Sequence, residues 1–320
     1  MRHLARRSIL VVAVLLSLTA PLSRAAPSPP TEDAVVEELV VTAADPNPAW
    51  WQIRKGDSTV WLLGGPMGPM PKDVRWDDGP LKTRMAGAKS LILPSAASVG
   101  IGDIFGLLRL RGELKEKQPL EPSLPPPLAK RFAAARESLG KDAGRYDGWS
   151  PVWAGRLLQQ DYFNQWKLLG GASPTAVARN VARHASVQVA RVVHKGMPVL
   201  RSAVQQMRED EKAQACLAGY LEAVEVRPER YRAAAKAWAR GDIRKAIDLP
   251  RGSDVCRELF LDEFASASVS EQVEAISAAL ETPGTTVAIA PLRQLLIRNG
   301  VLQQLKARGF QITDPSTLAD

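Results

Sequence analysis

Few side chains in this sequence could carry chemistry. Histidine occurs three times in 320 residues, and beyond the N-terminal leader described below only His184 and His194 remain. Hydrolytic metal catalysis takes about three protein ligands and an open water position. The two histidines stand in neither an HExxH nor an HxH arrangement. His184 is expected near a helix C-terminus, where an imidazolium complements the dipole, and His194, beside Lys195, reads as surface. Asp77 and Asp78 form a carboxylate pair, but adjacent residues on a loop do not converge, so solvent exposure is expected. No G-x-S-x-G elbow is present, and Gly252-Ser253-Asp254 reads as the cap of the following helix. Gly64-Gly65-x-x-Gly68 follows a strand, yet Pro66 and Pro69 interleave and no helix opens there, which defeats a phosphate cradle.

Two cysteines, Cys216 and Cys256, complete the inventory, and their spacing fits no metal-ligand pattern. Their redox state follows from compartment. Arg2, Arg6 and Arg7 precede an apolar run over residues 9–18, and Ser23-Arg24-Ala25 is a small-residue cleavage site. Residues 1–25 therefore read as a signal peptide cleaved after Ala25, with Ala26 as the alternative and an uncleaved anchor as the competing reading. The apolar run is shorter than the roughly 20 residues a span takes, so no integral membrane segment is expected after cleavage. A periplasmic or secreted protein with an even cysteine count is expected to close a Cys216–Cys256 disulfide, two buried thiols being the alternative.

The formal charge is +8, with 42 basic and 34 acidic residues. The leader holds four of the arginines and no acid, which leaves +4. The remaining cations are interleaved with acids, as in Arg208-Glu209-Asp210-Glu211-Lys212, so no nucleic-acid surface is expected. The 45% hydrophobic content allows a folded core.

Residues 26–47, rich in proline and acids, read as a disordered tether with at most a short ordered piece; a folded domain over 48–314 and a tail over 315–320 follow. Trp50-Trp51-Gln52-Ile53-Arg54 and Thr59-Val60-Trp61-Leu62-Leu63 flank Lys55-Gly56-Asp57-Ser58, a hairpin signal. Residues 79–88 look helical, and Ser90-Leu91-Ile92-Leu93 suits a buried strand. Helical periodicity dominates 101–166, where 100–110 reads as a core or lid helix rather than a membrane contact. Trp149 and Trp153 form an aromatic stripe expected to pack in the core, a ligand-lining groove under a helical lid being the alternative. A helix over 174–185 capped by Ser173 precedes a strand over 187–193. Single helices are expected over 198–220, 228–240, 242–247, 254–267, 270–280 and 294–308. Strands over 285–289 and 310–313 close the chain. Strands at both ends with helices between imply an α/β fold: a central mixed sheet from N- and C-terminal strands, flanked by helices, with a large helical middle or lid.

Several segments together resemble the TraB/GumN family. Pro48-Ala49-Trp50 through Ser58-Thr59-Val60-Trp61-Leu62-Leu63-Gly64 is similar to its opening hairpin, and Pro71-Lys72-Asp73-Val74-Arg75-Trp76 continues the likeness. Trp238-Ala239-Arg240-Gly241-Asp242 matches a Trp-x-x-Gly-Asp pattern, and residues 286–312 resemble the closing strand–helix–strand unit. The resemblance implies a metal hydrolase with relatives among membrane-anchored metalloproteases. At the three positions where it implies functional groups, this chain departs. The family's G-x-x-H histidine falls on Met67, counted from Gly64; the strand-end glutamate falls on Pro94; the histidine after the last strand falls near Arg293. A thioether suits soft metals and cannot act as a base, and an imino ring has neither charge nor donor.

The expected function is therefore a non-catalytic binding or scaffolding role in the cell envelope, with no cofactor. A small molecule, peptide or envelope protein would be held near Gly64, Met67, Pro94 and Arg293. Arg293, the one permanent charge of the four, would favour an anionic group. The alternative is an active hydrolase with a rewired site drawing on Asp77, Asp78, Asp103 or His184.

Overall fold

A computed structural model describes residues 35–43, 46–98, 100–190, 193–250 and 252–318, all within a unit running from Glu32 to Asp320. The expected signal peptide lies outside the described residues. The expected tether is docked over part of its length: Val36 N donates to Leu296 O, Ala43 N donates to Gly241 O, and Val40 is buried. The apolar residues of Val35-Val36-Glu37-Glu38-Leu39-Val40-Val41 have a surface to cover, which composition did not reveal.

The fold opens with a hairpin, β1 (Trp50–Lys55) and β2 (Ser58–Gly65), turned by Gly56-Asp57. Then come α1 (Gly79–Met85), β3 (Ser90–Ile92), β4 (Ala96–Ser98), α2 (Ile104–Glu113), α3 (Leu120–Ser123), α4 (Pro126–Ser138), α5 (Pro151–Gln165) and α6 (Pro174–His184). Next are β5 (Gln188–Ala190), β6 (Val193–Lys195), α7 (Gly196–Gln206), α8 (Asp210–Glu225), α9 (Pro228–Ala239) and α10 (Ile243–Ala246). The 28-residue α11 (Ser253–Leu280), β7 (Gly284–Pro291), α12 (Leu292–Leu296), α13 (Val301–Ala307) and β8 (Gln311–Thr313) complete it. As expected, one mixed sheet is assembled from distant segments, in the order β5-β3-β7-β2-β1-β8. β5, β3, β7 and β2 run parallel, and β1 pairs antiparallel with both β2 and β8.

Both faces of the sheet are covered, which is why its central strands read as continuous apolar runs. Trp51, Ile53, Val60, Leu62, Ala288 and Ala290 face one core, which residues of α9 to α13 close. Trp50, Leu63, Leu91, Val287 and Ile289 face the other, under residues of α1 and α6. A third cluster, with Phe132, Leu158 and Leu217, holds the helical middle together.

Four expected boundaries move, each for a local reason. The strand expected over 187–193 divides: β5 joins the main sheet and β6 pairs with β4 in a separate two-stranded sheet. The helix expected over 198–220 breaks after Gln206 and restarts at Asp210, where Asp210 and Glu211 complement the new N-terminus. The two helices expected over 254–280 are one, since 267–270 contains neither glycine nor proline; Gly252, not Ser253, stands at its N-cap. The helix expected over 294–308 breaks at 298–300. Asn299 adopts φ +55°, and a side chain on Gly300 would strike Gln294 O at 2.6 Å and Ile297 O at 2.7 Å. Ser173 takes the N-cap position of α6, but its side chain makes no capping hydrogen bond.

In the helical middle an ion pair is backed by a buried tyrosine. Arg145 pairs with Asp161 (Nη2–Oδ1 3.0 Å), and the hydroxyl of the fully buried Tyr146 donates to Asp161 Oδ2 at 2.9 Å. Burial opposes ionisation of Asp161, but the hydrogen bonds from Arg145 and Tyr146 outweigh it and hold its pKa below the ordinary value. A carboxyl depressed in the folded state contributes stability that is present above its unfolded pKa of about 3.9 and lost as pH falls through the folded value. Asp161→Ala is expected to cost about 1–3 kcal/mol near neutral pH by stranding the Tyr146 hydroxyl. The gap from wild type should narrow in urea denaturation series carried below pH 4.

Candidate functional site

Three of the expected positions share one end of the sheet. Met67 lies two residues past the C-terminus of β2, Pro94 two past β3, and Arg293 two past β7. Those strands are neighbours and parallel, with Gly64 opposite Ala290 and Gly65 opposite Pro291. Crevices beyond the carboxyl ends of parallel strands are where open α/β sheets bind ligands.

A cleft of about 370 Å³ opens there. Gly65, Pro66, Gly68 and Met70 form one wall, Pro94, Ile289 and Pro291 the floor, and Leu169, Gly170, Gly171, Ser173, Pro174 and Thr175 the far wall. That far wall is stitched to the β2 side: Gly171 N donates to Met70 O at 2.8 Å, Trp76 Nε1 donates to Ala172 O at 3.0 Å, and Pro71 bridges to Gly170. Of the four expected residues, Pro94 lines this cleft. Met67 lines an adjoining hollow of about 200 Å³, with Phe163, Tyr231 and Leu249, that shares Gly68 and Leu169 with it. Arg293 is the second residue of α12 and is half-buried, but it is in neither set of walls.

Gly64 does a different job. Its carbonyl accepts a 2.7 Å hydrogen bond from Trp238 Nε1, and a side chain there would meet Leu292 Cδ2 at 2.5 Å and Trp51 at 2.9 Å. Trp238 is 2% exposed and packs edge-on against Trp76, with ring centroids 5.5 Å apart. The Trp-x-x-Gly-Asp motif thus clamps the end of β2. Asp242, its last residue, accepts from Lys245 N at 3.1 Å and caps α10. The hydrogen bond from Lys245 holds the Asp242 pKa below its ordinary value.

Behind the floor lies a polar group that sequence reasoning missed. Gln272, 1% exposed, donates from Nε2 to Ile289 O at 3.0 Å, and its Oε1 has no hydrogen-bond partner among the described residues. Ser95, next to Pro94, donates to Glu271 Oε2 at 3.1 Å, and Gln294 reaches Ser268 at 3.4 Å. Ser268, Glu271 and Gln272 recur at i, i+3 and i+4 on α11, a pattern legible only once the buried side of that helix is known.

The expected carboxylates are otherwise engaged. Asp77 Oδ1 accepts from Gly79 N, Asp78 pairs with Lys82 at 2.7 Å, and Asp103 Oδ2 accepts from Gly100 N. His184 ends α6; His194 lies in β6, its side chain outside the described residues. Among the described residues no three His, Cys, Asp or Glu side chains converge on one point. A thioether, a proline ring and a guanidinium are not a donor set for a divalent cation, so the residues present do not fit the metal that the resemblance implies.

The sequence model of the TraB/PrgY/gumN family matches residues 49–314. The chain belongs to the TraB/PrgY/gumN family. That match takes in the hairpin, the helical middle and the closing β7–α12–α13–β8 unit, so all walls of the cleft lie inside the family domain. No curated protein and no solved structure matches the chain. The Cys216–Cys256 disulfide is present, joining α8 to α11 with Cα atoms 4.6 Å apart. Among the described residues no helix is long and apolar enough to cross a membrane.

Proposed function

We propose that this TraB/PrgY/gumN protein is exported and acts in the cell envelope as a binding protein without catalytic turnover, holding a neutral, largely apolar ligand at the carboxyl ends of β2, β3 and β7. A single observation carries the reading: among the described residues the cleft walls contain no acid, base or histidine, only glycine, proline, Met70, Leu169, Ile289 and the hydroxyl residues Ser173 and Thr175. Hydrolysis needs a base or a metal to activate a water or a hydroxyl such as that of Ser173 or Thr175. Binding needs shape, apolar contact and a few polar anchors, and exposed backbone beside Gly170 and Gly171 with the Ser173 hydroxyl meets that description. Because Arg293 stands outside the walls, the ligand class is neutral rather than anionic.

Leu169 borders both hollows and is 38% exposed, so a charge there alters the walls without burying an ion. Leu169→Glu is expected to weaken binding of Nile red and of capped neutral tripeptides at least about tenfold, with unchanged thermal stability, since an unpaired carboxylate would face an apolar guest. Equal binding by both proteins would place the ligand elsewhere. Stoichiometric zinc, manganese or cobalt in the purified protein, with chelator-sensitive peptide or ester hydrolysis, would replace this reading with a rewired hydrolase.

A further inference from the structure

The exposed large apolar side chains among the described residues are concentrated on α2. Phe105 is 85% exposed, Leu108 58% and Ile104 49%. A core or lid helix was expected over 100–110, and the helix does pack on one side: Leu110 is buried in a cluster with Met197 and Val204 of α7. A side chain on Gly106 would meet Met197 Cε at 2.6 Å, so this glycine lets α2 lie close against α7. At 100° per residue, Gly106 and Leu110 share that side while Ile104, Leu108 and Phe105 turn away from it. The result is an apolar ridge that none of the described residues covers.

Its flanks are cationic. Arg109 follows Phe105 on one side of the ridge, and on the other Arg111 lies between Ile104 and the 37% exposed Leu107; the Arg109 side chain is 85% exposed. Glu113, the one acid of α2, lies near both Arg109 (3.4 Å) and Arg208 (3.5 Å). Arg111 and Lys115 lie over the ring of Trp149, at 5.7 and 5.6 Å. An apolar ridge bordered by arginine and lysine, with an amphipathic tryptophan at its margin, matches an interfacial helix on an anionic lipid surface. A second copy is a poor occupant, because a two-fold contact would oppose arginine to arginine.

We propose that α2 seats this protein on the surface of an anionic bilayer, Phe105, Leu108 and Ile104 entering the acyl boundary while Arg109, Arg111 and Lys115 meet lipid phosphates. This is independent of the cleft, none of whose walls belongs to α2. The test places a nitrobenzoxadiazole label on Phe105→Cys, with the native disulfide intact. The label reports on α2 itself, whatever other segment touches lipid. With vesicles of equimolar phosphatidylcholine and phosphatidylglycerol, its emission is expected to shift to the blue and to be quenched by acyl-chain spin labels. Adding Leu108→Glu, a change at an exposed position, is expected to weaken this association about tenfold or more, as is omitting phosphatidylglycerol. Unchanged emission with a protein that retains its circular dichroism would overturn the proposal. So would equal responses to both lipid compositions. A shift that needs no vesicles and grows with protein concentration would also overturn it, assigning the ridge to a second copy.

Discussion

Trp238→Ala is expected to remove about 5 kcal/mol of folding stability, the largest effect of any single side chain considered. Truncating a buried tryptophan costs about 3–5 kcal/mol through lost transfer energy and the cavity left behind. Here the Gly64 carbonyl also loses its donor, in a position where Leu292 and Trp51 crowd the backbone. Trp238→Phe separates the two contributions: most of the ring volume stays, the N–H goes, and a loss of about 1–3 kcal/mol is expected. Urea midpoints at constant m-value read both. Because the clamp fixes β2 one residue before Gly65 forms the cleft wall, Trp238→Phe should also weaken Nile red binding while the protein remains folded.

Opening the Cys216–Cys256 bridge is expected to cost about 4 kcal/mol in the chain-entropy account, for a loop with its ends 40 positions apart. Both positions are buried, so C216A/C256A also leaves a small packing defect that chemical reduction of the wild type does not. Agreement between the two treatments would assign the loss to the crosslink. The closed loop contains α9 and therefore Trp238, so the crosslink limits how far the clamp can wander from β2. Disulfide loss and Trp238→Phe should consequently be non-additive in a double-mutant cycle, and strict additivity would show that the loop does not hold the clamp.

The hairpin, the buried strands, the assembly of one sheet from distant segments and the disulfide were legible in the sequence. Short β-rich and apolar runs, a Gly-Asp turn and an even cysteine count are local or countable signals. What escaped depends on tertiary context. The break at 298–300 turns on which backbone oxygens surround Gly300; the continuity of α11, by contrast, was legible in the absence of glycine and proline at 267–270. The apolar period of 100–110 was read correctly, but period alone does not say whether a stripe meets the core or the solvent. The same limit hid Gln272, a polar residue on the buried side of a helix. Met67, Pro94 and Arg293 were found only through the family resemblance; their shared offset from three parallel strand ends required the register.

The parallel pairing of β2 with β7 joins Ser58 to Gly284, over two hundred positions later. A ribosome must therefore add more than two hundred residues after β2 before the strand that unites β2 and β3 exists. Until then the nascent sheet has two open inner edges, and non-local parallel pairing is slow to form. A product terminated ahead of Gly284 would keep its tryptophan-rich hairpin yet lack the piece that seals it, making such fragments ready substrates for chaperones and proteases.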